Sequence, residues 1–225
     1  MTFVKREIVI TKDGSPSVYV EELREAFHSL NGSVQESLHT FVKEGLVHFY
    51  NEYRPEQMHL FEMGFGTGLN ALLAWQFAEK TRTLIHYTGI EAFPLEEVIY
   101  RELQFDIADE SAQEKLQKLH EVSWETWHEL SDYFHFKKVE KGLNAYDFDR
   151  EHNIVFFDAF APSVQPELWS EEVFQKMYDG LSTPGALITY SAAGAPRRAM
   201  QKAGFWIAEL RGAAGKREMT RAMKL

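Results

Sequence analysis

The sequence predicts an α/β fold in which a mostly parallel sheet carries helices on both faces, with a small hairpin and helical extension in front of it. From His59 onward, apolar runs of strand length alternate with segments of helical spacing, which is the pattern of βαβ units. The run Ile154-Val155-Phe156-Phe157 is apolar without interruption, as parallel strands buried on both faces are. With 225 residues, 44% hydrophobic and 26% charged, the chain suffices for one sizeable core and is short for two. The expected division is an N-terminal hairpin and helical extension over 1–50, packed on a main domain over 51–225.

The elements follow in order. Ile8-Val9-Ile10 and Val18-Tyr19-Val20 read as strands around the breaker Asp13-Gly14-Ser15-Pro16. Between Glu21 and Leu46, apolar residues at mixed helical spacing, broken at Asn31-Gly32, predict two helices. His59 to Met63 is the first strand of the main sheet. Leu69, Leu72, Leu73, Gln76 and Phe77 then recur at three- and four-residue spacing, which predicts a helix over 68–80. A strand over Leu84 to Glu91 follows, then a helix opened by Pro94 and running to about Leu103, and a longer one over about Ala112–Leu130. Phe134 to Val139 and Asn153 to Asp158 read as strands. Ser170 reads as an N-cap, with Glu171 and Glu172 in the first turn and an end near Gly180. A strand over Ala186 to Tyr190, a helix at about 195–203, and strands over Phe205–Leu210 and Arg217–Met223, joined through Gly212 to Gly215, complete the chain.

Composition narrows the chemistry. The absence of cysteine removes disulfides, thiolate metal sites, iron–sulfur clusters and cysteine nucleophiles. Nine scattered histidines lack the paired spacing of a zinc site, so no metal is expected. No stretch reaches the ~20 apolar residues of a membrane span, and Met1-Thr-Phe-Val-Lys-Arg-Glu7 has no apolar region after its charges. A cytoplasmic protein without membrane association is expected. The net charge of −10 opposes nucleic acid at first sight, yet Ala195 to Leu225 carries +6 and the other 194 residues carry −16. Such asymmetry suggests a polyanionic partner, or a solvated basic surface.

Three features carry chemistry. Glu62-Met-Gly64-Phe65-Gly66-Thr67-Gly68 lies between a strand and a helix, where glycines let the backbone turn sharply and approach a ligand. The nicotinamide fingerprint needs a glycine three after Gly66, but that position is Leu69 and the third glycine is Gly68. The loop is closer to the acidic-x-Gly-x-Gly-x-Gly pattern of S-adenosylmethionine methyltransferases. Glu91 ends the next strand, where a carboxylate either accepts both ribose hydroxyls of an adenosine or is simply solvated. Asp158, in Asp158-Ala-Phe-Ala-Pro162, emerges at the same sheet end, as the best catalytic candidate or as a cap of its own loop.

With these features in place, the chain resembles the MnmC-like methyltransferases of tRNA wobble uridine, which complete the 5-methylaminomethyl-2-thiouridine modification. The resemblance rests on His28-Ser-Leu-Asn-Gly-Ser33, Glu36-Ser37, Phe61 to Asn70, Glu91-Ala-Phe-Pro-Leu95, Phe157 to Pro162, Pro166-Glu-Leu-Trp169, Thr189-Tyr-Ser191, Arg197-Arg198 and Gly215-Lys-Arg-Glu-Met219. It implies a class I, Rossmann-like methyltransferase that uses S-adenosyl-L-methionine and acts on tRNA at the anticodon region. Glu62, Gly64, Phe65, Gly66, Thr67, Gly68, Asn70, Glu91 and Asp158 would then contact the cofactor, with Asp158 catalytic beside the transferred methyl. Glu36, Phe160, Arg197, Arg198, Lys202, Lys216 and Arg217 would contact the substrate.

Two departures qualify the resemblance. Relatives carry an acidic Gly-Asp-Ala type element where this chain reads Gly142-Leu-Asn-Ala-Tyr146, which leaves the adenine contact open. Two-domain members also carry an FAD-dependent oxidase; this chain ends once the methyltransferase motifs are spent, so a stand-alone form that only methylates is expected, with any oxidase a separate partner. Phe160, Trp169 and Tyr190 could stack on a flipped base or simply pack. The alternatives are a small-molecule methyltransferase or aminopropyltransferase of the same fold, or a module that binds cofactor or RNA without turnover.

Overall fold

The computed structural model describes residues 5–213 and 215–225; Met1–Val4 of the expected leaderless start and Ala214 in the last hairpin connection lie outside the described residues. The amino-terminal strands β1 (Arg6–Ile10) and β2 (Pro16–Val20) pair antiparallel. Where two helices are expected over Glu21–Leu46, the first is absent. Arg24 takes a φ of 52°, turning the chain so that β3 (Glu25–Ala26) pairs back on β2 and completes a three-stranded sheet.

The second expected helix is longer than predicted. Helix α1 (Ser33–Ser37) runs on through a π-helical stretch, Leu38–Val47, into α2 (His48–Tyr53). The boundary expected at residue 50 therefore falls within α2. Gly45 explains how this rod lies flat on the sheet: a Cβ there would stand 3.1 Å from Ile188 and 3.3 Å from Phe156. Phe41, Leu46 and Phe49 join the same buried cluster as Leu60, Leu72 and Phe156, so the extension is built into the core.

The main sheet has eight strands in the order β10-β11-β9-β8-β4-β5-β7-β6. Its elements are β4 (Gln57–Met63), α3 (Leu69–Thr81), β5 (Leu84–Ile90), α4 (Glu97–Tyr100), α5 (Ala112–Glu121), β6 (His128–Ser131) and β7 (Phe134–Val139). The chain continues through β8 (His152–Phe157), α6 (Glu171–Asp179), β9 (Leu181–Thr189), α7 (Gly194–Lys202), β10 (Trp206–Arg211) and β11 (Glu218–Lys224). Strands β9, β8, β4, β5 and β7 are parallel, and β6 and β11 run against their neighbours. The cluster that contains the residues of α3 and α5 lies on one side, and the one that contains those of α6 and α7 on the other. As expected, Ser170 caps α6, its hydroxyl accepting from Val173 N–H.

Two helices are shorter than predicted. The one expected to reach Leu130 stops at Glu121, because Glu125 adopts a φ of 62° and gives its N–H to Lys138 O at 2.8 Å, turning the chain back as β6. The one opened by Pro94 shrinks to the single turn α4. Phe93 O and Pro94 O each accept from the Arg6 guanidinium at 2.8 Å instead of entering a helix.

Successive strands run outward from β4 in one direction (β5, β7) and then return to its other side (β8, β9). The crevice outside the carboxyl ends of β4 and β8 is thus the switch point at which open α/β sheets hold ligands.

Candidate active site

At that switch point the glycine loop is pinned on both sides. Gly64 N–H and Phe65 N–H donate to Ile90 O at the end of β5, at 3.1 and 3.0 Å, while Asp158 N–H donates to Met63 O at 3.1 Å. Gly64 has a φ of 89°, and a Cβ on it would stand 2.7 Å from Asp158 O, so a side chain there is excluded twice over. Gly66, at a φ of 51°, has the Phe27 ring 3.0 Å from where a Cβ would be. No side chain caps α3, which leaves the positive end of its dipole available to an anionic group.

The loop borders a cavity of about 570 Å³, within the range of small-molecule sites. Gly64, Phe65, Gly66, Thr67, Asn70, Glu91, Asp158 and Phe160 all line it. The amino-terminal sheet supplies Val20, Leu23 and Phe27 on another side, and Gly142 to Ala145 close a third. Arg6 holds that assembly together: besides Phe93 O and Pro94 O, its guanidinium donates to Glu96 at 3.1 Å, joining β1 to the loop that follows Glu91. Glu91 Oε2 accepts from Gly66 N–H at 3.0 Å and Oε1 from Phe93 N–H at 2.9 Å. Each of these oxygens keeps a second lone pair for a hydroxyl of a bound ribose.

Thr67 is clamped between two histidines. His28 Nε2 hydrogen-bonds Thr67 Oγ1 at 2.7 Å, and His120 Nε2 donates to Thr67 O at 3.0 Å. Burial pushes both imidazoles down to about 4, so both are neutral at pH 7 and do not repel a cationic ligand.

Glu62 lies beneath the cavity, where a cofactor contact was expected. It is 0% exposed, shares the α3 side of β4 with Leu60, and its Oε1 accepts from Asn70 Nδ2 at 3.0 Å. The same amide donates to Asp158 Oδ2 at 2.9 Å, so Glu62 positions Asn70 and Asn70 positions Asp158. Gly68 also stays off the cavity wall, packed on Phe65 and His120 in the left-handed turn that starts α3. Burial holds the Glu62 carboxyl well above the usual carboxylate range, and the Asp158 and Glu91 charges add to this. The Asp158 carboxyl is pushed up to about 8 by burial first and then by the Glu36 charge, against the Asn70 hydrogen bond and Lys216.

Of the expected substrate residues, Phe160 lines the cavity and the other six separate into three groups. Glu36 and Lys216 meet in an ion pair, with Lys216 Nζ 4.0 Å from the centre of the Tyr190 ring. Arg197, expected to grip phosphate, is committed internally. It donates to Thr220 Oγ1 at 3.0 Å, Glu218 at 2.8 Å and Met219 O at 3.1 Å, tying α7 to β11. Arg221 and Lys224 of the same basic segment are likewise bound to Glu44 O and to the carbonyls of Tyr178 and Leu181. Arg198 and Arg217 are exposed, and Lys202 pairs with Glu171 at 3.0 Å on the surface. Trp169 and Tyr190 pack inward, their polar atoms donating to Phe160 O and Ala159 O. The His28–Thr67 contact, the Arg6 latch and the Gly142 to Ala145 wall join elements distant in sequence; the His28 motif and the Gly142 to Tyr146 stretch hinted at two of them, and nothing local pointed to Arg6. Among the described residues no three His, Asp or Glu side chains converge as a metal site requires, and no helix is long and apolar enough to cross a membrane.

The chain is 29% identical over 223 residues to the tRNA 5-methylaminomethyl-2-thiouridine biosynthesis bifunctional protein MnmC of Marinomonas sp. (strain MWYL1), a match covering 93% of this chain and 32% of that protein. The protein of the same name from Vibrio campbellii (strain ATCC BAA-1116) is 30% identical over 214 residues, covering 86% of this chain and 31% of the relative. The chain thus spans about a third of the length of the curated relatives it matches. The crystal structure of MnmC2 from Aquifex aeolicus superposes with a TM-score of 0.81 at 23% identity, covering 98% of this chain and 71% of that one, and spermidine synthase from Thermotoga maritima with 0.58 at 11%, covering 99% and 69%. The fold is therefore the class I, Rossmann-like one expected. A family profile described as S-adenosyl-L-methionine-dependent methyltransferase matches residues 106–225, and the chain, with its glycine loop, Glu91 and Asp158 around one cavity, belongs to that family.

Proposed function

We propose that the protein N-methylates the 5-aminomethyl group of the wobble (2-thio)uridine of tRNA. The observation that carries this reading is the Asp158 carboxyl, which lines the cofactor cavity, is held by Asn70 and feels the charge of a second acidic side chain, Glu36. The MnmC names of the relatives supply the substrate class.

The site fits S-adenosyl-L-methionine: the cavity has a suitable volume, Glu91 stands at the carboxyl end of β5, and Asn70 Oδ1 is buried with no partner among the described protein atoms. When bound, that group supplies an electrophilic methyl on a sulfonium, and its transfer to an amine leaves S-adenosylhomocysteine and one proton. Gly64, Phe65, Gly66, Thr67 and Asn70 shape its seat, and Glu91 takes the ribose hydroxyls. Asp158 orients the acceptor amine and takes up or relays the proton, because an ammonium has no lone pair with which to attack. Fixing the two reactants in line is worth up to ~7–11 kcal/mol; the Glu62–Asn70–Asp158 chain provides that rigidity on the acceptor side.

The tRNA presents its anticodon loop with the target base unstacked, since a base is reached for chemistry only outside its stack. Arg198, Lys202 and Arg217 meet its phosphates and Phe160 its base. The acceptor must be a free aminomethyl group; where that nitrogen carries a carboxymethyl substituent, an oxidation that removes it precedes this step, on a partner enzyme or domain. The test is incubation with labelled S-adenosylmethionine and tRNA lacking the methyl group, followed by nucleoside analysis. Label in 5-methylaminomethyl-2-thiouridine is the expected result, and label only in small molecules overturns the reading.

A further inference from the structure

Close enough for its charges to act on Asp158, but outside the cavity lining, lies an arrangement that a phosphate-gripping lysine does not explain. Glu36 is 5% exposed; its Oε2 accepts from Ser29 N–H at 2.9 Å and its Oε1 is paired with the Lys216 ammonium. That ammonium stands 4.0 Å from the centre of the Tyr190 ring. The Tyr190 hydroxyl donates to Ala159 O at 2.7 Å, which fixes the ring beside the residue that follows Asp158. A buried carboxylate and an aromatic face, with a second carboxyl near by, form a seat for an alkylammonium. None of Glu36, Tyr190 and Lys216 lines the cofactor cavity.

The lysine reaches this seat from outside. It follows the turn between β10 and β11, its N–H bonded to Ala213 O at 2.8 Å, and its side chain remains one-third exposed. Arg211 and Arg217 on either side of that turn are exposed to solvent. Lys216 is thus a tethered cation between an internal acidic seat and an external basic rim.

We propose that Lys216 is an internal plug: its ammonium occupies the seat of the acceptor amine, and nucleic-acid phosphates draw it out, so that only an amine carried on a polyanion reaches Asp158. This rests on the tRNA reading above. A free amine must displace a cation whose tether gives it an effective concentration of order mM. A polyanion instead offers Lys216 a new partner at the Arg211 and Arg217 rim as its own amine arrives. Glu36 then exchanges one cation for another and is never left buried without a partner, which would be costly.

The test compares two acceptors, the free nucleoside 5-aminomethyluridine and tRNA lacking the methyl group, with the wild-type chain, Lys216→Met and Lys216→Gln. Gln keeps a hydrogen bond to Glu36, so a folding defect in the Met variant does not decide the outcome. With the plug gone, KM for the nucleoside should fall about tenfold, the scale of removing a tethered competitor, while KM for the tRNA rises. Calorimetry of the nucleoside on the S-adenosylhomocysteine complex should show the same gain. Unchanged or weaker nucleoside binding in both variants, with wild-type tRNA methylation normal, overturns the plug alone. Wild-type protein that leaves the tRNA unmethylated overturns the reading on which it rests.

Discussion

The Asn70 amide donates to Asp158 Oδ2 at 2.9 Å while also holding Glu62 Oε1 at 3.0 Å, so one side chain couples a fully buried carboxyl to one that lines the cavity. Asn70→Ala should lower kcat by about tenfold or more, because Asp158 is no longer held in place. Stability should fall by about 1–3 kcal/mol as buried Glu62 loses its partner. Paired kinetic and thermal-melting measurements check both effects; unchanged kcat would mean that Asp158 needs no tether.

Glu62 predicts a pH effect on folding. Its carboxyl titrates well above 4.5 in the folded state, so the folded chain retains a proton that the unfolded chain gives up. That contribution is present below the ordinary carboxylate value and is lost as pH rises above it towards the folded value. Glu62→Gln keeps the acceptor for Asn70 and cannot ionise. Its melting temperature should match the wild type near pH 4.5 and exceed it increasingly at neutral and alkaline pH, in a series of scans.

Asp158 predicts a pH effect on binding. With its carboxyl at about 8 in the free protein, a sulfonium near by favours the carboxylate and expels a proton. S-adenosylmethionine should therefore bind more weakly as pH falls below about 8, with proton release visible by calorimetry in buffers of different ionisation enthalpy. S-adenosylhomocysteine, without the positive charge, should release far less. Asp158→Asn should abolish the difference.

Turnover separates from affinity at the same residue. Asp158→Ala should keep most tRNA affinity and lose ~100-fold or more in single-turnover rate, the low end of acid–base contributions. Asp158→Asn should be nearly as poor, having neither charge nor proton affinity. A wild-type rate in either variant would move the chemistry elsewhere, with Glu36 the next carboxylate to test.

The arginine pair 197 and 198 should divide. Arg197→Ala breaks the ties to Thr220, Glu218 and Met219 O and should cost about 2–3 kcal/mol in denaturant melts. Arg198→Ala and Arg217→Ala should leave stability alone, weaken tRNA binding, and each reduce the slope of log K against log salt by about 1.

The sequence revealed elements wherever local chemistry decides them. Ser170 with two glutamates announced α6, and the apolar run 154–157 announced a strand buried on both sides. It overran where a tertiary partner decides: β6 exists because β7 is there to receive it, and β3 because β2 is. The carboxylates show the same limit. Glu91 and Asp158 follow β5 and β8, the two strands that flank β4, and line the cavity, whereas Glu62 alternates with its neighbours to the α3 side. Arg197 and Arg198 look alike in sequence, but only the fold determines that one points into the β10–β11 hairpin and the other into solvent.

The Arg6 latch joins residues 87 to 90 positions apart, and contacts of that span are slow to form. Helices and local hairpins can reach their final content before this latch closes, so a spectroscopically complete chain need not yet have a cofactor wall. During refolding, recovery of far-ultraviolet signal should precede recovery of ligand binding, and binding rather than helicity is the measure of a finished molecule.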